Sequence, residues 1–271
     1  LKKQLAAKSP DYLMFLAIDI GNTDVVFGVY RDRHWAQTFR ISSRIGTDPA
    51  PFHEFWRHIL SQNGWAASDF DRIMLSTVVP SLREPFVQWL QTEFGPEKLM
   101  VMGPELYASL PVRVQNEKEI GSDLVANAMA GWSRFHDATV VVDFGTALTF
   151  TVVAQTGEVA GVAIAPGLKT SMRALFSNAA QLYEAPLKLP ESVLGRSTEH
   201  ALQAGILHGY IGLVGYLLDK IEDEMNRPCR VIATGGLVSI LTPLHERFDA
   251  IDPNLTLEGL RLISLFQKTG L

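Results

Sequence analysis

Apolar residues along this chain gather in short unbroken runs divided by turn residues, with helical spacing in a few stretches between them. Phe15-Leu16-Ala17-Ile18 runs into Asp19-Ile20-Gly21-Asn22-Thr23, and Asp24-Val25-Val26-Phe27-Gly28-Val29-Tyr30 follows at once. A continuous apolar run suits a strand buried on both faces, so the pattern predicts a strand, a tight turn and a returning strand. Trp35 to Ile41 alternates as a third strand would. Thr47-Asp48-Pro49 opens a helix on which Phe52, Phe55, Trp56, Ile59 and Leu60 recur at i, i+3 and i+4, and these aromatics read as core. Arg72 to Val79 predicts a strand stopped by Pro80. Ser81 or a neighbour then caps a helix bearing Phe86, Leu90 and Phe94. Lys98 to Met102 is a short strand, Leu110 to Val114 is extended, and Leu124 to Trp132 is a helix with Asp123 at its N-cap.

At Thr139 the opening pattern returns. Thr139-Val140-Val141-Val142-Asp143-Phe144-Gly145-Thr146-Ala147-Leu148-Thr149-Phe150 repeats apolar run, Asp, Gly, hydroxyl residue and apolar run. A turn at Gln155-Thr156-Gly157 and the run Glu158 to Ala165 complete a second three-strand set. Pro166-Gly167 ends it before a helix through Met172 and Phe176. Pro186 to Pro190 is an irregular connection. A long helix from about Ser197 to Met225 carries Ala201, Ala204, Gly205, Gly209, Gly212 and Gly215, which predicts close packing against one face. Arg230 to Thr234 is a last buried strand ending in Gly235-Gly236, where a backbone or a flat ligand can come near. Two similar halves point to one duplicated α/β fold.

The composition narrows the classes of function. The chain has 271 residues, 47% of them hydrophobic and 20% charged, which suits a globular protein of two ordinary domains. A net charge of −5 and the lack of a Lys/Arg block argue against a nucleic-acid partner. No apolar stretch is expected to reach the roughly 20 residues that span a bilayer. One cysteine, Cys229, excludes an internal disulfide framework and fits a reducing compartment. Asp19 interrupts the first apolar segment, so no signal peptide is expected. Met14 is taken as the natural start, residues 1–13 are left out of the fold, and the expected location is the cytoplasm.

The chemistry sits in the two repeated turns. Gly21 and Asn22 tolerate positive φ, and amides in such a turn converge on an anion, with the Thr23 hydroxyl as a further donor. Asp19 cannot bind phosphate directly and is suited to hold a metal ion or water beside one. Taken alone, Asp19 is equally well a satisfied turn aspartate, and Asp123 a plain capping one. Two matching turns in two matching halves favour a polyphosphate held between them.

The ordered set Asp19-Ile20-Gly21-Asn22-Thr23, Gly121-Ser122-Asp123, Asp143-Phe144-Gly145-Thr146-Ala147-Leu148-Thr149, Gly161 to Gly167, and Thr234-Gly235-Gly236 resembles type III pantothenate kinase. That family belongs to the superfamily of acetate and sugar kinases, chaperone ATPases and actin. Ser76 to Pro80 and Leu257 to Arg261 are lesser matches. The resemblance implies two ribonuclease-H-like domains, 14–137 and 138–262, with a nucleotide cleft between them. It also implies ATP, Mg²⁺, a monovalent cation (K⁺ or NH₄⁺) and a homodimer. The reaction implied is phosphorylation of the primary hydroxyl of pantothenate, the first step towards coenzyme A.

By position, Asp19, Ile20, Gly21, Asn22, Thr23, Asp24, Val25 and Val26 resemble the segment that binds ATP phosphates, with Asp19 placing Mg²⁺ through phosphate or water. Gly145, Thr146, Gly235 and Gly236 resemble further ATP contacts, Asp143 the monovalent-cation ligand and Asp123 the general base. A helix dipole is expected to keep Asp123 ionised and weakly basic. Gly121, Ser122, Asp123, Leu124, Val114 and Ala179 fall on the acceptor site. Three of these depart from the family: Leu124 replaces an arginine, Val114 a tyrosine and Ala179 a threonine. The ATP side is intact while acceptor contacts are altered, so the alternative is a nucleotide-binding paralogue that acts as a regulatory or partner-binding protein.

Overall fold

Ile20 pairs with Val25, and Phe144 with Leu148, so each half of the chain begins with a hairpin closed by a short polar turn. The structure, a computed structural model, describes residues 14–45, 48–178 and 185–267. In the first half β1 (Met14–Ile20), β2 (Asp24–Arg31) and β3 (His34–Ser42) form an antiparallel meander. Next, β4 (Phe70–Thr77) lies parallel to β1, and β5 (Leu99–Val101) parallel to β4. The order is β3-β2-β1-β4-β5. The second half repeats it with β6 (Thr139–Phe144), β7 (Ala147–Val153), β8 (Val159–Pro166), β9 (Arg230–Thr234) and β10 (Ala250–Ile251). Their order, β10-β9-β6-β7-β8, is the same topology read from the other edge. The expected duplication is present.

Parallel neighbours need a crossover, and helices supply it. α1 (Ala50–Asn63) joins β3 to β4, and α2 (Pro80–Phe94) joins β4 to β5. Val79, not Ser81, is the N-cap of α2, and no side chain caps it. Pro80 instead takes the first helical position, where its missing N–H leaves nothing unsatisfied. Phe27 stacks on Trp56 with centroids 5.6 Å apart, and Phe52 meets Phe86 at 4.8 Å, so the predicted aromatics of α1 are core. A one-turn helix, Pro104–Tyr107, precedes α3 (Ser122–Phe135). Beyond β8 come α4 (Leu168–Asn178) and α5 (Thr198–Met225), and α6 (Leu255–Gln267) closes the described chain.

The chain forms two compact units. One runs to Ala130 and resumes at Thr256; the other is Gly131–Leu255. This differs from the expected division at 137/138, because α6 packs back on the first unit. Thr256 Oγ1 donates to Asn127 Oδ1 of α3 at 2.8 Å, and Asn127 is fully buried. A β-carbon at position 259 would lie 1.9 Å from the Ala126 carbonyl oxygen, so only Gly259 lets the two helices meet there. On the opposite side of α6, Glu258 accepts from Trp35 Nε1 and from Arg261, whose guanidinium lies 4.5 Å from the Tyr30 ring centre.

α5 overturns two expectations. By length and composition it is apolar enough to cross a membrane. Part of that apolar surface completes the core of the second unit: Leu207, Val214 and Leu218 are fully buried with Val140, Val142 and Phe150 of the sheet. Of its small residues, Ala204 is fully buried and Ala201 lies against Gly195, but the glycines do not pack closely against other described residues. β-Carbons at 205, 209, 212 and 215 would meet nothing within 4 Å among the described residues.

Candidate active site

Asp19 stands second from the end of β1, opposite Val26 on β2 and Ser76 on β4. The chain reverses through Gly21, whose N–H donates to the Asp24 carbonyl at 2.9 Å. The Thr23 carbonyl accepts from the Ser43 N–H, also at 2.9 Å. Asn22 is the exposed tip of the turn. Ile20 and Val25 are fully buried, so only their backbones can meet a ligand, while Val26 is half-buried. The Asp24 carboxylate is held by Arg40 at 2.9 Å and does not repel an anion as a bare charge would.

The second turn is built alike but one residue shorter: the Gly145 N–H donates to the Ala147 carbonyl at 3.1 Å. Asp143 lies opposite Thr149 on β7 and Thr234 on β9, as Asp19 lies opposite Ser76. Gly145 and Thr146 are exposed. The Thr146 carbonyl accepts from the Gly167 N–H at 3.0 Å and the Thr170 hydroxyl at 2.7 Å, which fixes the turn from behind. Tyr210 on α5 in turn donates to the Pro166 carbonyl. Gly235 has φ +94°, and a β-carbon there would lie 2.7 Å from the Phe144 carbonyl, so glycine is needed where β9 ends beside β6. Gly236 has open space. Next in the chain, Leu237 helps line a cavity of about 510 Å³ with Lys169, Met172, Ala185, Pro186, Leu187 and Ile240. A mostly apolar pocket with a cationic side chain in its lining suits a flat heterocycle.

Two oxygen sets fit hard cations. Asp143 and Thr149 share a face of the second sheet, and the buried Thr149 Oγ1 has no hydrogen-bond partner among the described residues. A single carboxylate with a hydroxyl suits a singly charged ion better than a transition metal. Asp19 alone suits Mg²⁺, which commonly takes one carboxylate and completes its shell with phosphate oxygens and water.

Asp123 lies in the first turn of α3, and its Oδ1 accepts the Leu124 N–H at 2.9 Å. A β-carbon at Gly121 would sit 2.4 Å from that oxygen, so glycine makes room for the carboxylate. Burial pushes the Asp123 pKa up, and the backbone hydrogen bonds offset only part of the rise. Burial thus opposes the helix N-terminus, which favours the ionised form of this carboxylate. The Ser122 hydroxyl faces inward: it lies 2.9 Å from Ser76 Oγ and 3.3 Å from the Thr77 carbonyl, and so is turned away from a substrate. Leu124 is 8% exposed and Val114 half-buried. Ala179 lies outside the described residues.

Tyr107 escapes the sequence pattern. It is an isolated aromatic in a short stretch without helical or strand periodicity, yet it is buried, and burial with the nearby Asp123 charge pushes its pKa up to about 12. It is a neutral phenol.

A family model of type III pantothenate kinase matches residues 15–220. A type III pantothenate kinase of Geotalea uraniireducens is 37% identical over 250 residues, covering 92% of this chain and 97% of that relative. One from Myxococcus xanthus is 35% identical over the same share of each. Among solved structures, MreB 5 of Spiroplasma citri bound to AMPPNP superposes with a TM-score of 0.52. That match covers 97% of this chain and 100% of MreB 5 at 10% identity, a likeness of fold alone.

Proposed function

Because the chain belongs to the type III pantothenate kinase family, we propose that it transfers the γ-phosphoryl group of ATP to the primary hydroxyl of pantothenate, with Asp123 as general base. The observation that carries this reading is the half-buried carboxylate at the start of α3, positioned by Gly121 and the Ser122–Ser76 contact. A pKa raised by burial makes Asp123 a stronger base than a surface aspartate. The hydroxyl oxygen bonds to the γ-phosphorus, its proton passes to Asp123, and ADP leaves. Phosphoryl transfer needs mainly positioning and charge neutralisation around a loose transition state.

The amides and hydroxyls of Gly21, Asn22 and Thr23 bind ATP phosphates in this proposal, with Asp24, Val25 and Val26 shaping the turn behind them. Gly145 and Thr146 meet the γ-phosphate. The nucleobase takes the cavity beside Gly235 and Gly236, with Lys169 among its lining residues. Asp19 would hold Mg²⁺ through phosphate or water, and Asp143 with Thr149 would hold K⁺ or NH₄⁺. These cations neutralise phosphate charge when bound. A homodimer is supported by α5, whose open glycines lie on the same helix as Tyr216, 62% exposed. A cytoplasmic site of action is in keeping with the free thiol of Cys229.

Pantothenate-dependent ADP release, measured with Mg²⁺-ATP and K⁺, tests the assignment. Leu124 in place of arginine favours a second reading, the regulatory paralogue. ATP binding with no pantothenate-dependent turnover would support that reading and overturn the first.

A further inference from the structure

Pantothenate carries its carboxylate at the far end from the hydroxyl that is phosphorylated. Neither Leu124 nor Val114 supplies a charge or a donor for it. Arg83, in the first turn of α2, stands at the same edge of the first sheet as Asp123, where β4 and β5 end. Its Nη1 donates to the carbonyl of Met102, the residue after β5, at 3.2 Å. Met102 is itself fixed by its N–H bond to the Leu75 carbonyl at 2.8 Å. Position 103 is glycine, and a β-carbon there would come within 3.9 Å of Arg83 Nη2, so the guanidinium lies beside the start of the next segment while Arg83 itself is exposed. The one-turn helix that follows carries Tyr107, whose buried phenol responds to both charges: Asp123 opposes loss of its proton and Arg83 favours it.

A carboxylate base, a neutral phenol and a braced guanidinium thus occupy one end of one sheet. The guanidinium has five N–H donors in a fixed fork and is exposed, so donors remain to take a carboxylate in a bidentate pair. We propose that Arg83, braced on Met102 beside Gly103, binds the acceptor's carboxylate in the role that residue 124 has lost, and so sets the preference for an acidic acceptor. The inference rests on the reading of Asp123 as the base for pantothenate.

The test compares kcat/KM for pantothenate with kcat/KM for an uncharged N-alkyl amide of pantothenate, in the full chain and in Arg83→Ala and Arg83→Lys. Arg83→Ala should lower the acid-to-amide ratio about 10- to 100-fold, mainly through KM for pantothenate. Arg83→Lys should restore part of it, since lysine keeps the charge and loses the fork. An unchanged ratio in Arg83→Ala, with wild-type turnover intact, would overturn the role of Arg83 and leave the site reading standing. No turnover of either acceptor by the wild type would overturn both.

Discussion

Ser76 Oγ and Ser122 Oγ lie 2.9 Å apart, both residues buried, and this contact ties the end of β4 to the start of α3. Ser76 is also the β4 partner of Asp19, and Ser122 immediately precedes Asp123. Two groups with different proposed tasks are thereby referred to one rigid strand end. The second sheet has a related feature, the nearly buried Thr234 opposite Asp143, but no helix start comparable to α3 follows it.

Removing one hydroxyl should cost more than its own bond. Ser122→Ala leaves Ser76 buried and short of a partner, a loss of about 1–3 kcal/mol. Ser76→Ala should cost less, because Ser122 keeps its bond to the Thr77 carbonyl, and the double variant should lose less than the sum of the two. Urea denaturation of the three variants checks this; strictly additive losses would show that the contact is energetically idle.

Gly121→Ala should damage turnover out of proportion to stability. Its β-carbon would come 2.4 Å from Asp123 Oδ1 and push the carboxylate aside. A displacement of that order costs about 100-fold in rate when the group acts on the reacting atom. Steady-state kinetics beside a thermal melt separates the two effects, and unchanged kcat would contradict the placement of the base.

The raised pKa of Asp123 has a consequence for stability. The folded chain holds this proton more tightly than the unfolded chain does. Between the unfolded value near 3.8 and the higher folded value, stability therefore falls as pH rises. Asp123→Asn is neutral throughout and escapes the penalty. It should be more stable than the wild type at neutral pH, with the advantage shrinking as pH drops through that window. Melting curves of both proteins across the acid range check the sign.

The second turn offers a separate handle on ATP. A β-carbon at Gly167 would lie 2.3 Å from the Gly145 carbonyl oxygen and 2.4 Å from that of Thr146. Gly167→Ala should shift the turn and raise KM for ATP by about tenfold, with KM for pantothenate little changed. An unaltered KM for ATP would remove Gly145 and Thr146 from the nucleotide site.

What could be read in the chain beforehand was what a local pattern carries. The apolar runs ending in Asp19 and Asp143 announced both hairpins, and the spacing of Phe52, Trp56 and Leu60 announced α1 and its core face. Tyr107 was hidden because one aromatic in an irregular Gly/Pro-bounded stretch has no period to betray its burial. The inward turn of Ser122 was hidden because a hydroxyl looks the same whether it meets a substrate or Ser76. The return of α6 to the first unit depends on Gly259 against Ala126, a contact between positions far apart in sequence. The sign of the Asp123 shift depends on burial, which only the packed chain supplies. The glycines of α5 read as a packed seam because small residues at helical spacing look alike whether or not anything covers them.

Asp123→Asn gives the most direct test of the base. In a single-turnover experiment with Mg²⁺-ATP, K⁺ and saturating pantothenate, formation of phosphorylated pantothenate should fall by about 100-fold or more, as loss of general base catalysis requires. The dissociation constant for ATP, measured on the same protein, should stay at the wild-type value. A phosphoryl-transfer rate equal to the wild type would contradict the account.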